Sequence, residues 1–240
     1  MKQYIRNEIL KNKRKHLVTI SSSIILLSIF LGAFIYSANK RNFSVIPNQW
    51  IALWSQAGFY FSQIFFPVLI ATIIALNFAG EYRNNNIEYL RTIPISLNQM
   101  MIAKFIVFSW ITLELIVEFN LIFWLTGKVI NITNNYNIWM FLQWGIYGWI
   151  GSMTIIAVQM MLSCYLRKEI SAIIFSLIGS MGGFILLFIN QKIQVSIGLG
   201  SRTLEPLHGK EVFYFMLLNI IWIVICYLLS MRRFSKNYAF

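Results

Sequence analysis

Residues 81–99 read EYRNNNIEYLRTIPISLNQ, a polar stretch that lies between two long apolar runs. The stretch carries two of the eight acidic residues of the chain, and its proline forces a bend after a short helix. Followed by Lys104, it predicts a chain that leaves a membrane, forms a short amphipathic helix at the inner surface and then re-enters. The fold therefore depends on whether the flanking apolar runs span a membrane.

The composition of the chain is that of an integral membrane protein. Its 240 residues are 58% hydrophobic and the mean hydropathy is +0.66, whereas soluble domains are about 45–50% apolar. The net charge of +12 does not indicate a nucleic-acid partner, because the lysine and arginine residues cluster at the ends of apolar runs. Lipid headgroups and the rules of membrane insertion account for them there.

Six apolar runs predict six spanning helices within one transmembrane domain, 1–240. A span needs about 20 mostly apolar residues. The second run is long enough to be tilted or to begin as an interfacial helix, with Pro67 bending it. The basic segment 1–16 places Ile5, Ile9 and Leu10 on one stripe, which predicts an amphipathic helix on the inner membrane surface. The predicted spans are 17–38, 51–80, 100–126, 138–166, 170–190 and 212–231.

The distribution of basic residues predicts the orientation of the chain. With the N-terminus inside, most of the 20 lysine and arginine residues fall in inner segments. Cytoplasmic loops of membrane proteins carry such an excess, so we expect both termini in the cytoplasm. The loop 191–211 is then an outer loop, and its many apolar residues predict that part of it lies on the outer surface.

Glu114 and Glu118 lie near the middle of the third predicted span, four residues apart and so on one face of the helix. An ionisable group at this depth costs about 2.5–3.5 kcal/mol, and such groups normally face a bundle interior, a water path or a partner. Two interpretations stay open: a path for a cationic substrate or a proton, and a hydrogen-bonded structural lock against Asn120, Gln159 or a partner subunit.

Other patterns indicate packing rather than chemistry. Gly145, Gly148 and Gly151, and the pair Gly179 and Gly183, predict close helix contacts. The chain has no G-x-x-x-x-G-K-[ST] loop, no aspartate, no Ser/His/Asp set and no H-E-x-x-H. We therefore expect no enzyme activity, no metal site and no cofactor bound by this chain itself.

The central stretch resembles the ABC-2-type exporter permeases. The likeness rests on the acidic-aromatic start Glu81-Tyr82-Arg83, on IEYLRTIPIS at 87–96 and on Lys104 eight residues later. It extends to the six spans, the basic N-terminus and the semi-apolar outer loop, although Asn85-Asn86 stand where many members carry Gly-Thr or Gly-Ser. In size and style the chain is similar to the permeases of lantibiotic (bacteriocin) immunity transporters. The resemblance implies an all-α, ABC-2 (type V exporter-like) fold with an N-terminal amphipathic helix and a cytoplasmic coupling helix.

The resemblance also implies a function. The chain would be a permease subunit in a bacterial cell membrane, where it expels a cationic antimicrobial peptide for self-protection. Its partners would be a second permease, identical or homologous, and two copies of a cytoplasmic ATPase that bind ATP and Mg²⁺. The coupling region 81–99 would dock on that ATPase. The implied polar contacts are Glu81, Arg83, Glu88 and Arg91, and the packing contacts are Tyr82, Tyr89 and Leu90.

A stand-alone secondary transporter, driven by protons through Glu114 and Glu118, is the alternative. The two functions differ in the partner that they require. The exporter needs an ATPase, whereas the secondary transporter needs a pH gradient.

Overall fold

The computed structural model describes residues 1–13, 17–43, 46–82, 96–166, 168–189 and 209–238, and these contain helices and connecting loops but no strand. One continuous helix, Gln49–Tyr82, contains a π-helical turn at Tyr60–Phe65. The helices are α1 (Lys2–Lys13), α2 (Leu17–Ala38), α3 (Lys40–Phe43), α4 (Gln49–Phe59), α5 (Phe66–Tyr82), α6 (Leu97–Val129), α7 (Ile138–Leu166), α8 (Glu169–Ile189) and α9 (Lys210–Tyr238).

Five of the described helices are long and apolar enough to cross a membrane, and they coincide with five of the six predicted spans. The remaining predicted span, 170–190, falls on α8, where the apolar stretch Glu169–Gly182 is shorter. Six spans and cytoplasmic termini therefore stay predictions. The predicted coupling helix and most of the outer loop 191–211 lie outside the described residues. The five helices are Thr19–Ala38, Gln49–Tyr82, Leu97–Val129, Ile138–Leu166 and Lys210–Ser235.

Long-range contacts define two ends of the helix bundle. At one end, Lys104 near the start of α6 bonds Glu8 of α1, and we call this the inner end because sequence predicts it to face the cytoplasm. At the opposite, outer end, Trp50 near the start of α4 donates through its indole N–H to the carbonyl of Asn134, at 2.8 Å. The long helices α5 and α6 therefore run in opposite directions between the two ends.

The π-helical turn follows from Pro67. Proline has no N–H, so the carbonyl of Gln63, four residues earlier, lacks its usual donor within the helix. The hydroxyl of Ser180 on α8 donates to that carbonyl, and the N–H of Phe66 bonds the carbonyl of Phe61, five residues back. The hydrogen-bond pattern of the helix is therefore altered just before Pro67, whereas the bend itself stays a prediction. α4 is continuous with α5 and forms no separate interfacial helix.

An aromatic core fills the outer half of the bundle. Trp54 of α4 packs against Phe123 of α6 and Phe141 of α7, with ring centroids 5.2 and 5.4 Å apart. Trp50 packs edge-on against Phe123 with centroids 5.9 Å apart. Aromatic pairs in this geometry each contribute about 0.5–1.5 kcal/mol beyond their buried area. The core therefore fixes the start of α4 against the end of α6.

The glycines differ in how closely a neighbouring helix approaches them. A methyl group on Gly145 of α7 would lie 3.5 Å from Ile116 of α6, an ordinary van der Waals distance, so the two helices touch there with room for a larger residue. Gly179 of α8, in contrast, has no atom within 4 Å of such a methyl group in the described part of the chain. Gly32 of α2, which the sequence did not single out, lies directly against the backbone of Ala57 in α4.

Replacing Gly32 by alanine is expected to lower the melting temperature of the purified chain. The added methyl group would overlap the backbone of Ala57, which cannot rotate out of the way. Overpacking of this kind costs about 1–3 kcal/mol. The control is Gly179→Ala, which adds the same group to an apolar helix where space is open. Equal unfolding midpoints for the two variants in detergent would contradict the prediction.

Candidate functional site

Lys104 is fully buried at the inner end of α6, with 0% of its surface exposed. Its Nζ atom lies 3.0 Å from Glu8 Oε2, 2.6 Å from Asn77 Oδ1 and 2.6 Å from Glu81 Oε1. An ammonium group has three N–H donors, so each donor has one oxygen within reach. The ring of Phe78, with its centroid 5.2 Å from Nζ, adds a cation–π contact. The charge of Lys104 is therefore fully compensated within the protein.

Lys11 completes a balanced group of charges. Its Nζ lies 3.1 Å from Glu8 Oε1 and 3.1 Å from Glu81 Oε1. Asn77 links the group further, because its amide donates to Glu8 Oε2 at 3.0 Å. Two carboxylates thus face two ammonium groups, and the formal charges cancel. We call these five residues, Glu8, Lys11, Asn77, Glu81 and Lys104, the inner cluster.

The helical repeat explains how three elements supply the inner cluster. On α1, Glu8 and Lys11 are three residues apart, and on α5, Asn77 and Glu81 are four apart, so each pair shares one helix face. Lys104 lies two turns into α6. Ser96 is the N-cap of that helix, and its hydroxyl accepts from the N–H of Gln99.

The charges of the inner cluster shift the pKa values of the two α1 residues. Burial alone would raise the pKa of Glu8, but the charges of Lys104 and Lys11, with hydrogen bonds from Lys104 and Asn77, hold it below its ordinary value. Burial alone would lower the pKa of Lys11, but Glu81 and Glu8 raise it. The stability due to Glu8 is present above its ordinary pKa and lost as pH falls through the lowered pKa. That due to Lys11 is present below its ordinary pKa and lost as pH rises through the raised one.

Glu81 and Tyr82 are the described members of the set predicted to contact an ATPase. Glu81 is only 3% exposed, and its Oε1 lies against both lysines of the inner cluster. In this structure its carboxylate therefore faces the protein interior. Tyr82 is partly buried against the core. The other members lie outside the described residues, and their role stays a prediction: Arg83, Glu88, Tyr89, Leu90 and Arg91.

Glu114 lies on the exposed face of α6. Its Oε1 accepts from the indole N–H of Trp110 at 2.7 Å, and the Trp110 side chain is 62% exposed. Glu118, one turn further, is half-buried. The side-chain amides of Asn120 and Gln159 donate to the backbone carbonyls of Ile116 and Ala172. Neither amide therefore forms the predicted lock with the glutamates, and Glu114 faces the outside of a single chain.

Sequence reasoning did not single out two members of the inner cluster, Glu8 and Asn77. Two signals were available: a glutamate within the otherwise basic segment 1–16, and an asparagine within the apolar second run. Neither signal identifies the residue that it contacts, because Glu8 and Asn77 are separated by 69 residues along the chain.

The described residues define an all-helical, multi-pass membrane protein with a buried cluster of charges at one end. Within them, no group of histidine, cysteine or acidic residues could hold a metal ion. A family model described as ABC-2 family transporter protein matches residues 4–183, which is most of the chain, and the chain therefore belongs to that family. No curated protein matches the chain.

Family membership confirms the broader part of the resemblance. The matched range begins in α1 and includes the inner cluster and the whole coupling region 81–99. The ABC-2 family implies an ABC transporter, which typically works with an ATPase partner. The chain is thus a membrane protein of the permease type, and the proton-driven alternative gains no support from the match.

Proposed function

We propose that this chain is the transmembrane permease subunit of an ATP-driven bacterial exporter that expels a cationic antimicrobial peptide of the lantibiotic class for self-protection. The observation that carries the proposal is the ABC-2 family match over residues 4–183. Two copies of a cytoplasmic ATPase would bind ATP and Mg²⁺. A second permease, identical or homologous, would complete the path for the peptide across the membrane.

The inner cluster supports a coupling role for the region between α5 and α6. Glu81 at the end of α5 and Lys104 near the start of α6 form an ion pair at 2.6 Å. This pair holds the two helix ends together at the base of the segment 83–95. A soluble partner that pushes on such a segment acts on a stiff support rather than on two independent helix ends.

The position of Glu114 supports the proposal that the transported peptide is cationic. It lies ten residues beyond Lys104 on α6, a distance of about 15 Å at 1.5 Å per residue, or half of a hydrocarbon layer of about 30 Å. The indole N–H of Trp110 donates to this carboxylate, and a bound cation would lower further the cost of a charge exposed at that depth. The neighbouring Trp110, Val117 and Leu121 are also exposed, so the face offers an apolar surface around one negative group. Such a surface suits an amphipathic, lysine-rich peptide.

Changing Glu114 to glutamine is expected to reduce protection against a cationic lantibiotic roughly tenfold, because hydrogen bonds to charged groups contribute about 1.5–3 kcal/mol. The measurement is the inhibitory concentration of the peptide for cells that carry the variant, with the amount of assembled complex measured beside it. Glu211→Gln, the same change in the first turn of α9, is the control. Unchanged protection combined with reduced assembly would mean that Glu114 is structural.

Identifying the proteins that bind this chain tests the proposal most directly. We would purify the chain from its native cells in mild detergent, identify the proteins that accompany it and measure ATP hydrolysis by the eluate. The proposal predicts a cytoplasmic ATPase in the eluate, and hydrolysis that vanadate inhibits. A chain that elutes alone, in an eluate without ATPase activity, would refute the exporter.

A further inference from the structure

Helix α1 is attached to the bundle by buried charged and amide groups, and by Tyr4, which packs against the core. Glu8 and Asn12, one turn apart, are both buried, and Asn77 of α5 lies within 3.4 Å of both side chains. The apolar Ile9 and Leu10 are exposed on the other side of the helix. A helix held only by lipid would turn its polar groups to water. Helix α1 is therefore a fixed part of the inner end of the bundle.

The inner cluster joins α1 to both helices that flank the segment 83–95. Glu81 lies one residue before the end of α5, and Lys104 lies two turns into α6. The ion pair of these two residues joins the helix ends, and the pair of Lys104 with Glu8, at 3.0 Å, joins them to α1. Breaking a buried pair leaves a charge uncompensated, so these contacts resist separation. A displacement of the helix ends would therefore carry α1 with it.

We propose that the inner cluster makes α1 a moving part of the transmission from the ATPase to the membrane. When the ATPase displaces the segment 83–95, α1 and the inner ends of α5 and α6 move as one body and shift the inner end of α2, which begins four residues after α1 ends. This inference rests on the proposed function, because it needs an ATPase that acts on the segment. Glu8, Asn77 and Lys104 are positioning residues that hold α1 and contact neither ATP nor cargo.

A distance measurement on the complete complex in lipid nanodiscs tests whether α1 moves with α6. Spin labels are placed at the exposed positions Asn7 and Gln99, with Cys164 and Cys226 changed to alanine. The label distance is measured without nucleotide and after trapping with ATP, Mg²⁺ and vanadate. We expect the same narrow distribution in both states, whereas a second label pair, Gln99 with Lys168 at the start of α8, changes its distance. A shift in the first pair, or no change in either, would overturn the proposal.

The double variant Glu8→Gln with Lys104→Met tests whether the inner cluster transmits the motion. It removes one charge of each sign, so the cluster stays neutral. We expect the Asn7–Gln99 distance to differ between the two states, and transport of a fluorescent lysine-rich lantibiotic per ATP hydrolysed to fall at least roughly fivefold. Wild-type values for both would overturn the proposal. Lys128→Met with Glu211→Gln, away from the inner cluster, is the matched control.

Asn77→Ala provides a second variant that keeps all four charges and cuts only the amide link among Glu8, Asn12 and Lys104. The amount of peptide transported per ATP hydrolysed should also fall in this variant. A wild-type value would overturn the proposal, even where the double variant does not fold. If no ATPase co-purifies with the wild-type chain, the proposed function is refuted together with this inference. A wild-type complex that transports, beside variants that transport equally well, would refute only the role of the inner cluster.

Discussion

Replacing Lys104 by methionine is expected to lower the free energy of unfolding by about 3–5 kcal/mol, the usual cost of removing one partner from a buried ion pair. Glu8 and Glu81 would remain buried with only Lys11, whose side chain is 47% exposed. Methionine keeps an unbranched apolar chain in the site, so the loss comes mainly from the missing charge. The measurement is the thermal unfolding midpoint in detergent, together with the amount of chain that accumulates in membranes.

Lys128→Met is the matched control for this prediction. Lys128 is exposed, and the described contact of its ammonium is the ring of Trp124, with the centroid 5.9 Å away. Exposed cation–π contacts contribute about 0.5–1 kcal/mol. Adding Glu8→Gln to Lys104→Met should restore part of the lost stability, because it removes a carboxylate that has lost its partner. Equal losses of unfolding free energy for the two lysine variants would show that the buried ion pairs of Lys104 do not stabilise the fold.

The helices could be predicted from the sequence because a membrane imposes length and composition on each span. Two of the apolar runs, one ending near Gly80 and one beginning at Met100, correspond to described helices. The predicted and observed helices differ only in their first and last residues. α6 begins at Leu97 and ends at Val129, since Ser96 caps its first turn and polar residues at a helix end need no lipid. The irregular hydrogen bonding before Pro67 was equally predictable, because proline removes a fixed hydrogen bond.

The inner cluster could not be predicted, because its pairs depend on how separate helices meet. Lys104 was predicted as a basic residue at the start of the third span, where lipid headgroups would satisfy it. Its actual partners, Glu8 and Glu81, are 96 and 23 residues away, and no periodic pattern joins them. The donor for the Gln63 carbonyl is likewise Ser180, on a helix more than a hundred residues later. A local pattern identifies the group that lacks a partner but not the residue that supplies one.

Reversing the charges of the coupling region, Glu88→Lys with Arg91→Glu, is expected to abolish transport while the chain still folds. Both residues lie outside the described residues, and the resemblance alone assigns them polar contacts with the ATPase. Truncating one partner of an interfacial charge pair costs about 2–5 kcal/mol, which corresponds to roughly 30-fold or more in affinity, and reversal adds repulsion. The measurements are the amount of ATPase that co-purifies and the transport of peptide.

The unfolding midpoint distinguishes a lost partner from a damaged fold. The inner cluster contains neither Glu88 nor Arg91, so the midpoint of the variant should equal that of the wild type, unlike that of Lys104→Met. The control is the exchange Lys210→Glu with Glu211→Lys, an adjacent pair of opposite charges at the start of α9. It makes the same kind of reversal at a helix end away from the inner cluster. If the coupling variant retains the ATPase as fully as this control, Glu88 and Arg91 make no essential contact with the ATPase, and the role that the resemblance assigns to these two residues is wrong.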